Sequence, residues 1–232
     1  MKTVVRTLAI DIGGSGIKTL VLDESGQPQT ERSRTETPQP AKPDLVVNAI
    51  VSLANQQGEF DRVSAGFPGV VRAGVTETAV NLDPDWVGFD LAKALSDRLK
   101  KPVRVVNDAD MQGMGAIAGH GVELVITLGT GFGSALFLNG KLVPNLEMGH
   151  HEFRNKETYE QQLGRAALDR VGQKKWSRRL GQSIESLRKL FNYDRLYIGG
   201  GNTNKITIEL PPNVKIVPNI SGLLGGIVLW RD

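Results

Sequence analysis

Leu8-Ala9-Ile10-Asp11-Ile12-Gly13-Gly14-Ser15-Gly16-Ile17 sets two apolar runs around a knot of glycines. The returning run continues to Leu22, and aliphatic runs flanking such a knot predict a β-hairpin. The pattern recurs in the second half of the chain. Residues 124–128 predict a strand, Gly129-Thr130-Gly131-Phe132-Gly133 a second knot, and residues 134–138 the returning strand. Asn139-Gly140 then reads as a tight turn into the next strand. Two strand–glycine–strand units in one chain predict an internal duplication, and with it two related α/β domains facing each other.

The segments between the hairpins read as amphipathic helices. Leu45, Ala49 and Leu53 keep helical spacing, and Gly58 is placed to end that helix. Asp90 is a candidate cap for a second helix with Leu91, Leu95 and Leu99 on its buried stripe. Pro102 breaks it, and residues 103–106 read as a buried strand leading into Asn107-Asp108. The Gly-, Ala- and Met-rich segment that follows suits a closely packed helix. Alternation of strands and helices predicts an α/β protein with mainly parallel pairing beyond the hairpins. Residues 30–42, polar and proline-rich, read as an exposed connection.

The bulk composition fits a folded globular chain: 232 residues, 40% hydrophobic and 23% charged, with a formal charge of +3. A mild basic excess serves solubility or an anionic partner. Nothing suggests nucleic acid, because no basic run is interleaved with aromatic residues. Cysteine is absent, which excludes disulfides, thiolate nucleophiles and cysteine-ligated zinc. Residues 1–10 reach Asp11 too soon for a secretory signal, and residues 223–230 are too short to span a bilayer. The expectation is a cytoplasmic protein with no membrane partner.

Polar residues beside the glycines carry the chemical argument. A phosphate chain needs converging backbone N–H groups, and glycine permits both the turn and the close approach. A single knot reads more readily as a plain hairpin turn; two knots, one behind Asp11, favour phosphate. Neither is a P-loop, since no Gly-Lys-Ser/Thr closes it. The second knot is not a dinucleotide fingerprint either, because a strand follows where a helix should open. Asp11 beside phosphates would repel them without a cation, so it is a candidate Mg²⁺ anchor, directly or through water. Lys18 would balance phosphate charge or simply be solvated.

Asn107-Asp108 ends an apolar strand, where open α/β sheets place ligands; alone the pair would be a turn or helix cap. A carboxylate there can take the proton of an attacking alcohol. Glu147 and His150, three apart across Met148-Gly149, can converge on one small polar ligand, with Gly149 letting the backbone bend. His151 would point elsewhere and His120 be structural or exposed. Gly66-Phe67-Pro68-Gly69 follows another short strand. In Gly199-Gly200-Gly201-Asn202-Thr203, Asn202 or Thr203 would cap a helix whose N-terminus faces an anion.

Taken together these motifs resemble the ROK family of sugar kinases, nearly end to end, and within it the polyphosphate glucokinase branch. Asp11-Ile12-Gly13-Gly14-Ser15 is similar to the family's first phosphate motif and residues 128–133 to its second. Gly66–Gly69 resembles the sugar-lid motif, Asn107-Asp108 the pair with the catalytic aspartate, and Glu147-Met148-Gly149-His150 the sugar-binding Glu-x-Gly-His. The resemblance implies an actin/hexokinase-like (ribonuclease H-like) fold with a cleft between two domains, residues 1–107 and 108–232, the last helix packing back on the first. It implies a catalytic Asp108, and glucose bound by Asn107, Glu147, His150, Glu160, Gly66 and Asn81. Phosphates would lie at Asp11, Gly13, Gly14, Ser15, Lys18, Gly129, Thr130, Gly131, Gly200 and Gly201. Polyphosphate or ATP as donor, Mg²⁺ as cofactor and a homodimer are further implications.

One departure stands out. Typical family members carry a cysteine-rich zinc motif after the histidine, and this chain has no cysteine, so no zinc site is expected. Residues 166–176 resemble instead the compact polyphosphate-using branch. The family's repressors are not expected, since nothing before the first strand could hold a helix-turn-helix. The run Lys174-Lys175-Trp176-Ser177-Arg178-Arg179 reads as a solvated helix face or as a landing strip for a long polyanion.

Overall fold

The computed structural model of the chain describes residues 4–80, 82–218 and 221–231. They form two compact units, one of residues 4–115 with 221–231, the other of residues 116–218.

The first unit opens with β1 (Thr7–Ile12), β2 (Ile17–Leu22), β3 (Ser33–Thr35), α1 (Pro43–Asn55) and β4 (Arg62–Phe67). A small sheet of β5 (Val71–Arg72), β6 (Val75–Thr76) and β7 (Phe89–Asp90) follows. Then come α2 (Leu91–Leu99), β8 (Val103–Asn107) and α3 (Asp108–Met114). The second unit holds β9 (Val122–Leu128), β10 (Phe132–Leu138), β11 (Lys141–Val143), β12 (Glu152–Arg154) and β13 (Glu157–Thr158). It continues through α4 (Tyr159–Leu163), α5 (Arg165–Val171), α6 (Gln173–Phe191), β14 (Arg195–Gly199) and β15 (Val214–Ile216). The last helix, α7 (Ser221–Val228), returns to the first unit.

The main sheets have the same plan. Their orders are β3-β2-β1-β4-β8 and β11-β10-β9-β14-β15. In each, the three strands around the hairpin pair antiparallel and the remaining two join in parallel. The duplication expected from the glycine knots is therefore present in topology. Each sheet buries one face against its own helices, through Leu8, Ile10, Ile50, Phe67, Trp86 and Leu91 in the first unit. In the second, Leu124, Ile126, Trp176, Leu180 and Leu196 do the same.

Local signals act as expected. Asp90 caps α2 by accepting the Lys93 N–H, and Asn139 and Gly140 both take positive φ in the β10–β11 turn. The connection at 30–42 is less loose than its composition implies, because it contributes β3 and buries Thr37 and Ala41. The division between units falls after Gly115, not at 107/108, because α3 packs on β4 and α7.

Glycines make the α3–α7 contact possible. A side chain at Gly225 would overlap the Met111 carbonyl, and one at Gly226 would press on Ser64 and Ala9. Ser64 Oγ donates to the Gly226 carbonyl at 2.6 Å and accepts the Trp230 indole N–H at 2.8 Å. The guanidinium of Arg104 lies 4.4 Å above the Trp230 ring, closing the attachment. In the second unit, buried Glu123 accepts the N–H groups of Ala118, Gly119 and His120 and the Tyr197 hydroxyl. Burial pushes its carboxyl up, but these hydrogen bonds outweigh it and hold Glu123 below its ordinary range.

Candidate active site

In the first unit the chemistry gathers at the carboxyl ends of parallel strands. Asn107, the last residue of β8, caps α3, its Oδ1 accepting the Ala109 and Asp110 N–H groups at 2.8 and 3.1 Å. Its Nδ2 donates to the Gly69 carbonyl at 3.1 Å, which ties the 66–69 turn to the start of the helix. Asn107 is buried, so it holds the frame within which Asp108 is presented. Asp108 is the first residue of α3 and one of its oxygens accepts the Ala109 N–H at 2.7 Å. Gly66 lies on the neighbouring strand, and a Cβ there would stand 3.1 Å from the Asp108 Cα. The glycine leaves the notch into which Asp108 fits. Gly69 is likewise steric, since a side chain would overlap the Thr78 carbonyl.

The first knot closes on itself, with the Gly13 N–H donating to the Gly16 carbonyl at 3.0 Å. Gly14 is half-buried and Ser15 exposed. Asp11 and Lys18 face one another across β1 and β2, with Nζ to Oδ2 at 2.6 Å. Lys18 is thus engaged with Asp11. Two residues absent from the sequence reading support this knot. Thr37 donates from Oγ1 to the Gly13 carbonyl at 2.5 Å, and a Cβ on Gly16 would meet Arg34 Nε at 3.0 Å. Both lie in the 30–42 segment, whose polarity hid them.

In the second unit Glu147 and His150 converge, with Oε2 and Nε2 3.4 Å apart. Gly149 is there for a steric reason and not to bend the chain: a side chain would overlap the Phe132 carbonyl of β10. Glu160, in the first turn of α4, accepts the Phe132 N–H at 3.2 Å. Burial pushes the Glu147 carboxyl up; His150 eases this and the Glu160 charge adds to it. The two carboxylates and the imidazole therefore share one field. His151 turns away, its Nδ1 2.9 Å from the Glu152 carbonyl, and His120 is exposed. Asn81 lies outside the described residues.

Around the second knot, the Gly129 N–H donates to the Gly131 carbonyl at 3.2 Å, and no atom would obstruct a Cβ on Gly129 within 4 Å. Thr130 is exposed. Gly200 takes φ +94° and packs directly on the end of β9, where a side chain would overlap Leu128, while Gly201 faces open space. The expected helix after this cluster is absent. Residues Thr203–Lys205 make a single 3-10 turn, and the Asn202 side chain makes no capping bond to it. Asn202 is buried and donates from Nδ2 to the Gly129 carbonyl at 2.8 Å, bracing the knot. Arg165, also missed, donates its N–H to the Thr130 carbonyl at 3.1 Å and reaches Asn202 Oδ1 at 3.3 Å.

Among the described residues no group of three or more His, Asp or Glu side chains could hold a metal. Asp11 alone beside a backbone loop fits Mg²⁺ of the kind held mainly by phosphates and water. No helix among the described residues is long and apolar enough to cross a membrane.

The ROK family model matches residues 7–159, which contain both knots, Asn107-Asp108 and Glu147–His150. The chain belongs to the ROK family. It is 34% identical over 229 residues to the polyphosphate glucokinase of Mycobacterium leprae, covering 94% of this chain and 70% of that protein. The polyphosphate glucokinase of Mycobacterium tuberculosis strain CDC 1551 is 33% identical over 237 residues, covering 93% and 88%. The structure resembles the inorganic polyphosphate/ATP-glucomannokinase of Arthrobacter sp. strain KM, with a TM-score of 0.89 and 33% identity. That likeness covers 97% of this chain and 98% of the other, and the fold is the actin/hexokinase-like fold of ROK sugar kinases.

Proposed function

We propose that this ROK protein is a glucokinase that transfers a phosphoryl group from inorganic polyphosphate, or from ATP, to the 6-hydroxyl of glucose. The observation that carries the reading is Asp108. It stands at the carboxyl end of a parallel strand, fixed by the Asn107 cap and seated in the Gly66 notch. In this reading its carboxylate takes the hydroxyl proton as the oxygen attacks phosphorus, and positioning supplies most of the remaining catalysis. Glu147, His150 and Glu160 bind sugar hydroxyls, which both donate and accept hydrogen bonds.

The backbone N–H groups of both knots would stabilise the charge of the transferring group. Mg²⁺ held at Asp11, when bound, would neutralise phosphate charge; Lys18 already offsets part of the Asp11 charge. Names of the relatives support the donor: the two mycobacterial proteins are polyphosphate glucokinases, and the Arthrobacter name adds ATP and mannose. The resemblance also implies a homodimer, which light scattering on the purified protein would test; the expectation of a cytoplasmic protein rests on the absence of cysteine.

Purified protein is to be mixed with Mg²⁺, glucose or mannose, and either polyphosphate or ATP, and the sugar 6-phosphate measured. Product from glucose and polyphosphate is the expected outcome. Product from ATP alone would make this an ATP-dependent hexose kinase. No product with either donor would leave a sugar or nucleotide sensor on the same fold.

A further inference from the structure

The basic run at the start of α6 has two edges with different surroundings. Ser177 is buried, and its Oγ accepts the Thr207 and Ile208 N–H groups at 2.8 and 3.2 Å. Ile208 also lies against Gly181, where a Cβ would stand 3.1 Å from its Cδ1. The segment 206–208 therefore runs along the edge of α6 marked by Ser177 and Gly181. Lys174 and Arg178, both exposed, share a row with Gly181 at spacings of four and three residues. Lys175 and Arg179 form the next row, which leads to Gln182. That row faces the β12–β13 hairpin, since Gln182 accepts from Arg154 of β12, and Arg154, Arg170 and Glu157 all act on Arg179.

The loop along the first edge is continuous with the second knot. Asn202 braces the Gly129 carbonyl, the Lys205 N–H donates to the Asn202 carbonyl at 3.0 Å, and Thr207 follows two residues later. Arg165 is bonded to both Thr130 and Asn202. Arg165 is itself ion-paired with Asp169, Nε to Oδ1 at 3.1 Å, so the exposed cations along the path that starts at the knot are Lys205, Lys174 and Arg178. The next charges along the helix row and along the loop are acidic, Glu185 and Glu209, so the positive strip ends there.

We propose that this strip binds the distal phosphates of a long inorganic polyphosphate chain whose terminal phosphoryl group lies at the second glycine knot. The placement of that terminal group rests on the kinase reading above. A row of separate cations without an exposed aromatic platform suits an inorganic polyanion better than a nucleic acid, whose bases call for stacking surfaces. Trp176, the aromatic residue of the run, is fully buried. A nucleoside triphosphate has too few phosphates to follow the strip, so the strip would favour the long donor and leave ATP indifferent.

Binding of long-chain polyphosphate and of tripolyphosphate is to be measured by calorimetry for the wild type, the triple variant K174Q/R178Q/K205Q and K175Q, with folding checked by circular dichroism. Removing three exposed charges should weaken long-chain binding roughly tenfold and tripolyphosphate binding less than about twofold. K175Q should bind as the wild type does. Equal long-chain affinity in the triple variant and the wild type would overturn the strip, as would an equal loss in K175Q. Competition by a single-stranded oligonucleotide as effective as polyphosphate would overturn the choice of ligand. Because these titrations need no turnover, a strip that binds polyphosphate in a protein that makes no sugar phosphate would sink the kinase reading and leave the strip standing.

Discussion

The two hairpins share a plan and differ one step from the knot. In β1–β2 the pair at that step is Asp11 and Lys18, an ion pair. In β9–β10 it is Thr127 and Gly133, where the Gly133 N–H donates to Thr127 Oγ1 at 3.1 Å. A duplicated frame has therefore kept its backbone and divided its charges. The first copy carries a carboxylate suited to a cation, and its unit carries Asp108. The second is neutral at that step, and its unit carries Glu147, His150 and Glu160. A sheet's register is set by its buried residues, so polar residues at the strand ends are free to diverge.

The largest test of that division is Asp108. Asp108→Asn should lower kcat by roughly 10²- to 10⁴-fold with the circular dichroism spectrum unchanged, the scale of a lost general base. Near-normal kcat would remove Asp108 from the reaction. Next comes the asymmetry itself. Asp11→Asn should lower kcat about tenfold or more and raise the Mg²⁺ concentration needed for half-maximal rate, whereas Thr127→Val should change both less than about threefold. Equal effects at the two positions would mean that the copies have not divided the work.

Glu147→Gln sharpens the second unit's part. The variant should raise the glucose KM roughly tenfold or more, by leaving a sugar hydroxyl badly paired. It should also raise Tm at neutral pH. The folded carboxyl of Glu147 is raised mainly by burial, so its neutral form is favoured and its charge is a cost above that pKa. That cost disappears as pH falls through the raised value toward the unfolded one, so the Tm gap should close in acid. A gap that widens in acid would contradict the environment assigned to Glu147.

The smallest effects compare two glycines. Gly200→Ala should cost about 1–3 kcal/mol in urea denaturation, because its φ is positive and Leu128 occupies the space. Gly129→Ala should change stability by less than about 0.5 kcal/mol, since its Cβ meets nothing, yet raise the donor KM if phosphate fills that space. A stable Gly129→Ala with unchanged donor KM would move the phosphate elsewhere.

Much of this was legible in the chain. The paired apolar runs, Asp90 before its helix and Asn139-Gly140 are local signals, and local sterics act before any tertiary contact forms. No helix follows Gly201, and the Asn202 side chain is bonded instead to the Gly129 carbonyl of the second knot, 73 residues earlier. Thr37, Arg34 and Arg165 were illegible in the sequence. Each is an ordinary polar residue well removed in sequence from the glycines it supports, and only folding brings it to a knot.

By itself the sequence determined the two hairpins, the glycine positions and the identity of Asp11, Asp108, Glu147 and His150, because turn chemistry and apolar periodicity operate over a few residues. Tertiary structure alone decided why several of those glycines are there. At Gly66, Gly149 and Gly225 the requirement is a neighbour's backbone or Cα in the place of a side chain, and not an unusual φ. It also decided that Lys18 belongs to Asp11 and that only one edge of the basic run on α6 follows the loop from the second knot. Charge and steric contact depend on distance in space, and the fold sets that distance.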